Sequence, residues 1–178
     1  ILGSCLSPAD NSPKIVVPGK ASDNELFAAK EIRKYIYLRT GELLRIEKGK
    51  KGEPGSGIVL KTDTGYGEEE FSLTTTGSGD GKVLEIRGGT PVAVLYGAYE
   101  LAEQLGIRFY LDGDVIPDKQ VPFDIPLLNI HKKPLFATRG IQPFHDFPEG
   151  PDWWDKQDYK AIIAQLPKLK MNFIGFHT

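Results

Sequence analysis

The stretch Val83-Leu-Glu-Ile-Arg87-Gly-Gly-Thr-Pro91-Val-Ala-Val-Leu-Tyr-Gly-Ala-Tyr-Glu-Leu-Ala-Glu-Gln-Leu105-Gly-Ile-Arg-Phe-Tyr-Leu111 decides the fold. Val83 to Arg87 has strand composition. Gly88 and Gly89 break it, Thr90 stands at a helix cap, and Pro91 takes the first helical position, where its missing N–H costs nothing. Val94, Leu95, Ala98, Leu101, Ala102 and Leu105 then recur at helical spacing, which predicts a buried stripe ended by Gly106. Ile107 to Leu111 returns as a strand or extended segment.

Upstream, Lys14 to Pro18 is a short β-branched strand. Ser22 with Glu25 three residues on forms a capping box, Ala28, Ala29, Ile32 and Ile36 carry the next helical stripe, and Gly41 stops it. Leu43 to Glu47, Gly57 to Thr62 and Phe71 to Thr76 have strand composition, with Gly-rich turns between strands, two of them resembling hairpins. The order strand, helix, several strands, helix, strand predicts a two-layer α/β sandwich: a mainly antiparallel or mixed sheet with both helices on one face.

Past Asp112, Pro117, Pro122, Pro126 and Pro134 mark an extended connector. Phe136 to Ile141, Asp155 to Leu166 and Met171 to Phe176 then read as strand, helix and strand, with Tyr159, Ile162, Ile163 and Leu166 on one helical stripe. Such a βαβ unit requires parallel strands. One parallel pair and one helix cannot bury both faces, so the expected natural chain continues beyond Thr178. The expected division is a tether over residues 1–13, an α/β domain over 14–130 and a truncated barrel start over 131–178.

Composition narrows the function. The chain of 178 residues has 22 Lys and Arg against 24 Asp and Glu, so no positive field exists to hold nucleic acid. No apolar run reaches membrane-helix length. The single cysteine, Cys5, excludes an internal disulfide, and three scattered histidines give no metal-ligand spacing; no cofactor is expected. Ile1-Leu-Gly-Ser-Cys5 resembles the end of a bacterial lipoprotein signal, with Cys5 as the lipidation site and an extracytoplasmic location; an incidental free thiol is the competing reading.

Gly88-Gly-Thr90 lacks the pattern of a phosphate loop and reads as a tight turn. Asp112-Gly-Asp114 starts like a calcium loop without its later ligands, and Glu68-Glu-Glu70 reads as a solvated turn. The aromatic-rich tail is different: one of Trp153 and Trp154 is expected to face a sugar ring, and ordinary packing accounts for the rest. If the two tail strands open a parallel barrel, strand parity turns Arg139 inward with Ala137 and Ile141, and Phe173, Gly175 and His177 with them. The loop from Gln142 to Trp154, with His145, Asp146, Glu149 and Asp152, would overhang the same rim. Against this stands a local carboxylate partner for Arg139 and a frayed His177.

Leu95-Tyr-Gly-Ala-Tyr99 through Tyr110, preceded by Gly88-Gly-Thr-Pro91, resembles the N-terminal α/β domain of α-glucuronidases and of the β-N-acetylhexosaminidase group. Lys133-Pro-Leu-Phe-Ala-Thr-Arg-Gly140 resembles the start of the (β/α)8 barrel that follows it there. Leu166-Pro-Lys-Leu-Lys-Met-Asn-Phe-Ile-Gly-Phe-His177 resembles the end of its first helix and its second strand. The resemblance implies a non-catalytic companion domain packed on a glycoside hydrolase barrel that binds oligo- or polysaccharide, with Arg139 contacting sugar. It places the catalytic carboxylates on later strands, so Asp146, Glu149 and Asp152 do not form an acid/base pair by being present. The alternative is a stand-alone carbohydrate-binding or adhesion module. On the hydrolase reading the uncovered barrel start is expected to self-associate or to remain poorly protected, whereas a self-contained module would be a monomer with a protected tail.

Overall fold

The computed structural model describes residues 12–49, 57–144 and 150–176. A six-stranded mixed sheet has the order β2-β1-β3-β5-β4-β8. Its strands are β1 (Lys14–Val17), β2 (Arg45–Lys48), β3 (Gly57–Thr62), β4 (Phe71–Thr76), β5 (Val83–Gly88) and β8 (Asn129–Lys132). The first three and β5 run parallel, whereas β4 is antiparallel to both of its neighbours.

Helix α1 (Asp23–Thr40) begins at the Ser22 capping box and closes at Gly41 with φ +80°. Helix α2 (Pro91–Gln104) begins at Thr90, whose side chain accepts from the Ala93 N–H. Ile15, Ile58, Leu73, Leu84 and Ile86 are buried toward these two helices. The opposite face keeps polar pairs: Arg87 bonds Asp63 at 2.8 Å and also Glu85. Alternation of apolar and polar residues along β5 thus orients the whole sheet.

Three expectations are corrected. Of the Gly-rich turns, 77–82 joins a hairpin, β4–β5; the turn at Gly65 to Gly67 links β3 and β4, which are not neighbours because β5 lies between them. Arg108–Tyr110 (β6) does not rejoin the main sheet but forms a two-stranded ribbon with Gly113–Val115 (β7), so Asp112-Gly-Asp114 serves a turn. The Pro-rich connector ends as β8, an edge strand crossing residue 130, which lengthens the sheet to Lys132.

The tail does form a parallel βαβ unit. Gly140–Ile141 (β9) pairs with Phe173–Ile174 (β10), and α3 (Lys156–Gln165) lies between them in the chain with Asp155 as its cap. Both strands are shorter than the sequence suggests. Ahead of β9, the Arg139 N–H bonds the Asn172 side chain at 2.9 Å instead of a ladder carbonyl, so a side chain takes the place of a longer pairing.

Helix α2 is buried from Ala93 to Ala102 without a break, more than one stripe requires. A helix apolar on all sides belongs in an interior. Gly97 makes this possible: a Cβ there would lie 2.5 Å from Ile86 Cγ2. Glycine in an exposed helix weakens it relative to alanine, but here the sign reverses. Gly97→Ala is expected to destabilise the protein by about 1–3 kcal/mol through overpacking, read from the denaturation midpoint; an unchanged or raised midpoint would mean that the helix can move off the sheet freely.

Candidate functional site

The connection between β3 and β4 builds one wall of a cleft. Gly65 N–H donates to Asp63 Oδ1 at 3.0 Å, Gly67 N–H to Glu70 Oε2 at 2.9 Å and Glu70 N–H to the Gly67 carbonyl at 3.0 Å. These short-range bonds make residues 63–70 a tight double turn. It is fastened to the start of α2: Thr90 Oγ1 donates to the Glu68 carbonyl at 2.7 Å and Gly89 N–H to the Glu70 carbonyl at 2.9 Å. A Cβ at Gly89 would lie 1.9 Å from the Gly67 carbonyl oxygen. The Gly88-Gly-Thr90 turn is therefore filled by protein backbone, as its tight-turn reading requires.

The solvated-turn reading holds for Glu68, which is exposed, and fails for Glu69 and Glu70. Glu69 accepts from Arg139 at 2.6 Å, from Asn172 Nδ2 at 3.1 Å and from the Tyr96 hydroxyl at 3.2 Å. Burial, with Glu69 close by, pushes the Tyr96 phenol up to about 12. Glu70 lies 2.6 Å from His131 Nε2, and the Tyr66 ring tilts against that imidazole at 5.5 Å. The Gly67 N–H and then His131 hold the Glu70 carboxyl below its ordinary value. Clefts of about 280 and 180 Å³ flank Glu69, the first lined by Lys133, Pro134 and Ala137, the second by Phe71, Tyr96 and Lys132.

A second contact lies along residues 166–172. Lys168 reaches Asp114 on β7 at 2.8 Å, and the same carboxylate accepts from the Tyr35 hydroxyl at 2.8 Å. Lys170 pairs with Glu103 and, at 3.4 Å, with Glu100, which also takes Lys132 at 2.8 Å. Leu166 is buried and Leu169 packs on the core. Across this junction the α/β domain supplies the acids and the βαβ unit the bases. Each carboxylate at its centre is matched by a cation and further donors, an arrangement that holds elements together rather than one that transfers a proton.

The expected site residues separate. Arg139 directs its guanidinium to Glu69 and to the Phe136 and Lys170 carbonyls, a carboxylate partner on the other unit. Trp153, 73% exposed, lies on the segment following β9. Trp154 instead stacks edge-on against Tyr159 at 5.4 Å. His145, Asp146, Glu149, His177 and Cys5 lie outside the described residues. Among the described residues no group of three or more His, Cys, Asp or Glu could hold a metal, and no helix is long and apolar enough to cross a membrane. Glu69, Tyr96, Lys168 and Lys170 escaped the sequence reading, although the Lys-rich 166–172 stretch carried part of the family resemblance.

This combination of mixed sheet, buried second helix and appended βαβ unit is the fold of a portion of several glycoside hydrolases. A Streptomyces plicatus β-hexosaminidase in complex with GlcNAc matches with TM-score 0.60 and 19% identity, over 91% of this chain and 30% of that one. A GH138 enzyme targeting pectin rhamnogalacturonan II matches with TM-score 0.61 and 18% identity, over 93% and 18%. A GH115 4-O-methyl-α-glucuronidase with specificity for decorated arabinogalactans matches with TM-score 0.62 and 16% identity, over 92% and 25%. The chain spans at most 30% of the length of these structures, and at such identities the likeness is one of fold. No family model and no curated protein matches the sequence.

The junction's carboxylates make it acid-sensitive. Burial opposes ionisation of Glu100, but the Lys132 bond and the nearby Lys170 outweigh it and hold the carboxyl below its ordinary value. Asp114 is likewise lowered, burial being overcome by Lys168 and Tyr35. A carboxyl depressed in the fold contributes stability above its unfolded pKa, about 4, and loses it as pH falls through the folded value. Thermal stability is therefore expected to hold between pH 7 and 5 as far as these groups decide it, and to drop below about 4. The drop should be shallower in a Glu100→Gln, Asp114→Asn variant; an unchanged pH profile in that variant would exclude these two groups as its source.

Proposed function

We propose that this chain is the companion-domain region of a bacterial glycoside hydrolase active in polysaccharide degradation, with the chain after β8 contributing the first βαβ unit of the catalytic barrel. The chain itself is not catalytic. One observation carries this assignment: α3 has no buried residue, with Ile163 49% exposed, and among the described residues β9 and β10 pair with each other and with no other strand. In a closed βα barrel each strand has two neighbours and each helix covers two strands. The apolar surface of this unit is that of a barrel segment awaiting its neighbours, and in the isolated chain it is also a surface on which a second copy could pair.

Barrel chemistry belongs at the C-terminal ends of the strands. Trp153 follows β9 in the chain, and we assign this exposed ring to a sugar face, with His145, Asp146 and His177 proposed as further sugar contacts. Arg139 directly precedes β9, at the opposite end of the strand, and is assigned to holding the unit in place. The resemblance of the sequence around Cys5 to a lipoprotein signal supports an extracytoplasmic, lipid-anchored protein.

Expressed in full, the encoding reading frame is expected to hydrolyse at least one member of a panel of aryl β-N-acetylhexosaminides and α-glucuronides, and the 178-residue chain none. Trp153→Ala in the full protein should raise KM more than it lowers kcat, because the ring contacts substrate away from the reacting bond. A full protein without hydrolase activity, together with calorimetric binding of oligosaccharides by the 178-residue chain, would replace the enzyme by a binding module.

A further inference from the structure

Strands as short as β9 and β10 have few ladder bonds with which to choose their register. A slip by one residue would turn every side chain of the pair to the other face. The described ladder consists of Phe173↔Gly140 and Ile174↔Ile141, with the Phe173 N–H on the Arg139 carbonyl at 3.1 Å and the Gly175 N–H on the Ile141 carbonyl at 2.9 Å. A Cβ at Gly140 would lie 1.8 Å from the Phe173 carbonyl oxygen, which fits this alignment but does not create it. Something else has to select the register.

Arg139 and Asn172 are the residues that lead into the two strands. They are bonded to each other twice: the Arg139 N–H donates to Asn172 Oδ1 at 2.9 Å, and the Asn172 N–H to the Arg139 carbonyl at 2.8 Å. Asn172 Nδ2 also donates to the Ala137 carbonyl at 2.8 Å. Both side chains then converge on one carboxylate outside the unit, with Arg139 on Glu69 Oε2 and Asn172 on Glu69 Oε1. That carboxylate has little freedom of its own. Its turn is tied to the start of α2 by Thr90 and Gly89, and the buried Tyr96 hydroxyl bonds its Oε1.

We propose that Glu69 is a register clamp, through which the α/β domain fixes the parallel alignment of β9 and β10 at their N-terminal ends. The fork of Arg139 and the amide of Asn172 meet the two carboxylate oxygens together only when the residues that follow them are paired as observed. A slip of one residue along a strand moves that lead-in side chain by about 3.3 Å, beyond hydrogen-bond reach. The α/β domain thus acts as a template that aligns its neighbour as well as supporting it. The assignment requires only that β9 and β10 pair, and it stands whether or not the assembled protein is a hydrolase.

Hydrogen exchange on the 178-residue chain tests it. The probes are the amides of Asn172, Phe173 and Gly175, with those of Val83–Gly88 as an internal reference. Glu69→Ala is expected to speed exchange of the three probes by about tenfold or more and to leave the β5 amides unchanged. Glu69→Gln, which keeps the shape and loses the charge, should have a smaller effect of the same kind, and it remains informative if the alanine variant fails to fold. Adding Arg139→Ala to Glu69→Ala should then change the probes by less than the sum of the two single effects, because the Arg139–Glu69 contact is lost in both, while the Arg139 bonds to the Phe136 and Lys170 carbonyls are lost only with Arg139. Unchanged probes in both Glu69 variants, a uniform loss that includes β5, or full additivity with Arg139→Ala would each overturn the proposal.

Discussion

A helix buried on all sides must give each of its polar side chains a partner, because an unpaired polar group in an interior costs several times what its hydrogen bond contributes. Helix α2 is under that constraint, and its solutions organise the molecule. Tyr99 donates to Glu31 of α1 at 3.1 Å. Tyr96 donates to Glu69 of the β3–β4 turn. Glu100, 2% exposed, takes Lys132 from the edge strand and Lys170 from the βαβ unit. Each partner comes from a different element, so satisfying one helix joins α1, the turn and the sheet edge to a single core and ties the appended unit to the surface of that core.

The same arrangement explains why the βαβ unit remains in place with so little apolar cover. Leu166 and Leu169 give it a small hydrophobic footing, while Arg139, Lys168 and Lys170 supply charges to acids already held by the α/β domain. Partly buried ion pairs of this kind contribute less to net stability than to geometry, since desolvation offsets much of the Coulombic gain. They fix where the unit sits. Among the described residues, no strand pairs with the outer edges of β9 and β10, and α3 buries no side chain.

Both long helices could be read in the sequence because their signals are local. The Ser22–Glu25 box, the Thr90–Pro91 start and the glycines at 41 and 106 lie within one turn of the residues they control. Strand composition was equally visible, but strand neighbours were not: nothing in Gly65-Tyr-Gly67 reveals that β5 will come between the strands it links. Strand β8 was hidden because an edge strand needs few apolar residues, and Asn129-Ile-His-Lys132 has one. Trp153 stood out in the sequence by its type, and the structure leaves it exposed. Glu69 did not, because a run of three glutamates has the composition of a solvated loop, and its partners lie as far away as Asn172.

Helix α2 and the sheet form the cooperative core, on which the βαβ unit rests as a separable, less stable layer. Native-state hydrogen exchange measured across a denaturant series tests this most directly. The amides of α2 should open only with global unfolding, together with those of β5, while the amides of α3 exchange through a smaller opening with a weaker denaturant dependence. A single isotherm shared by α2 and α3 would contradict the account.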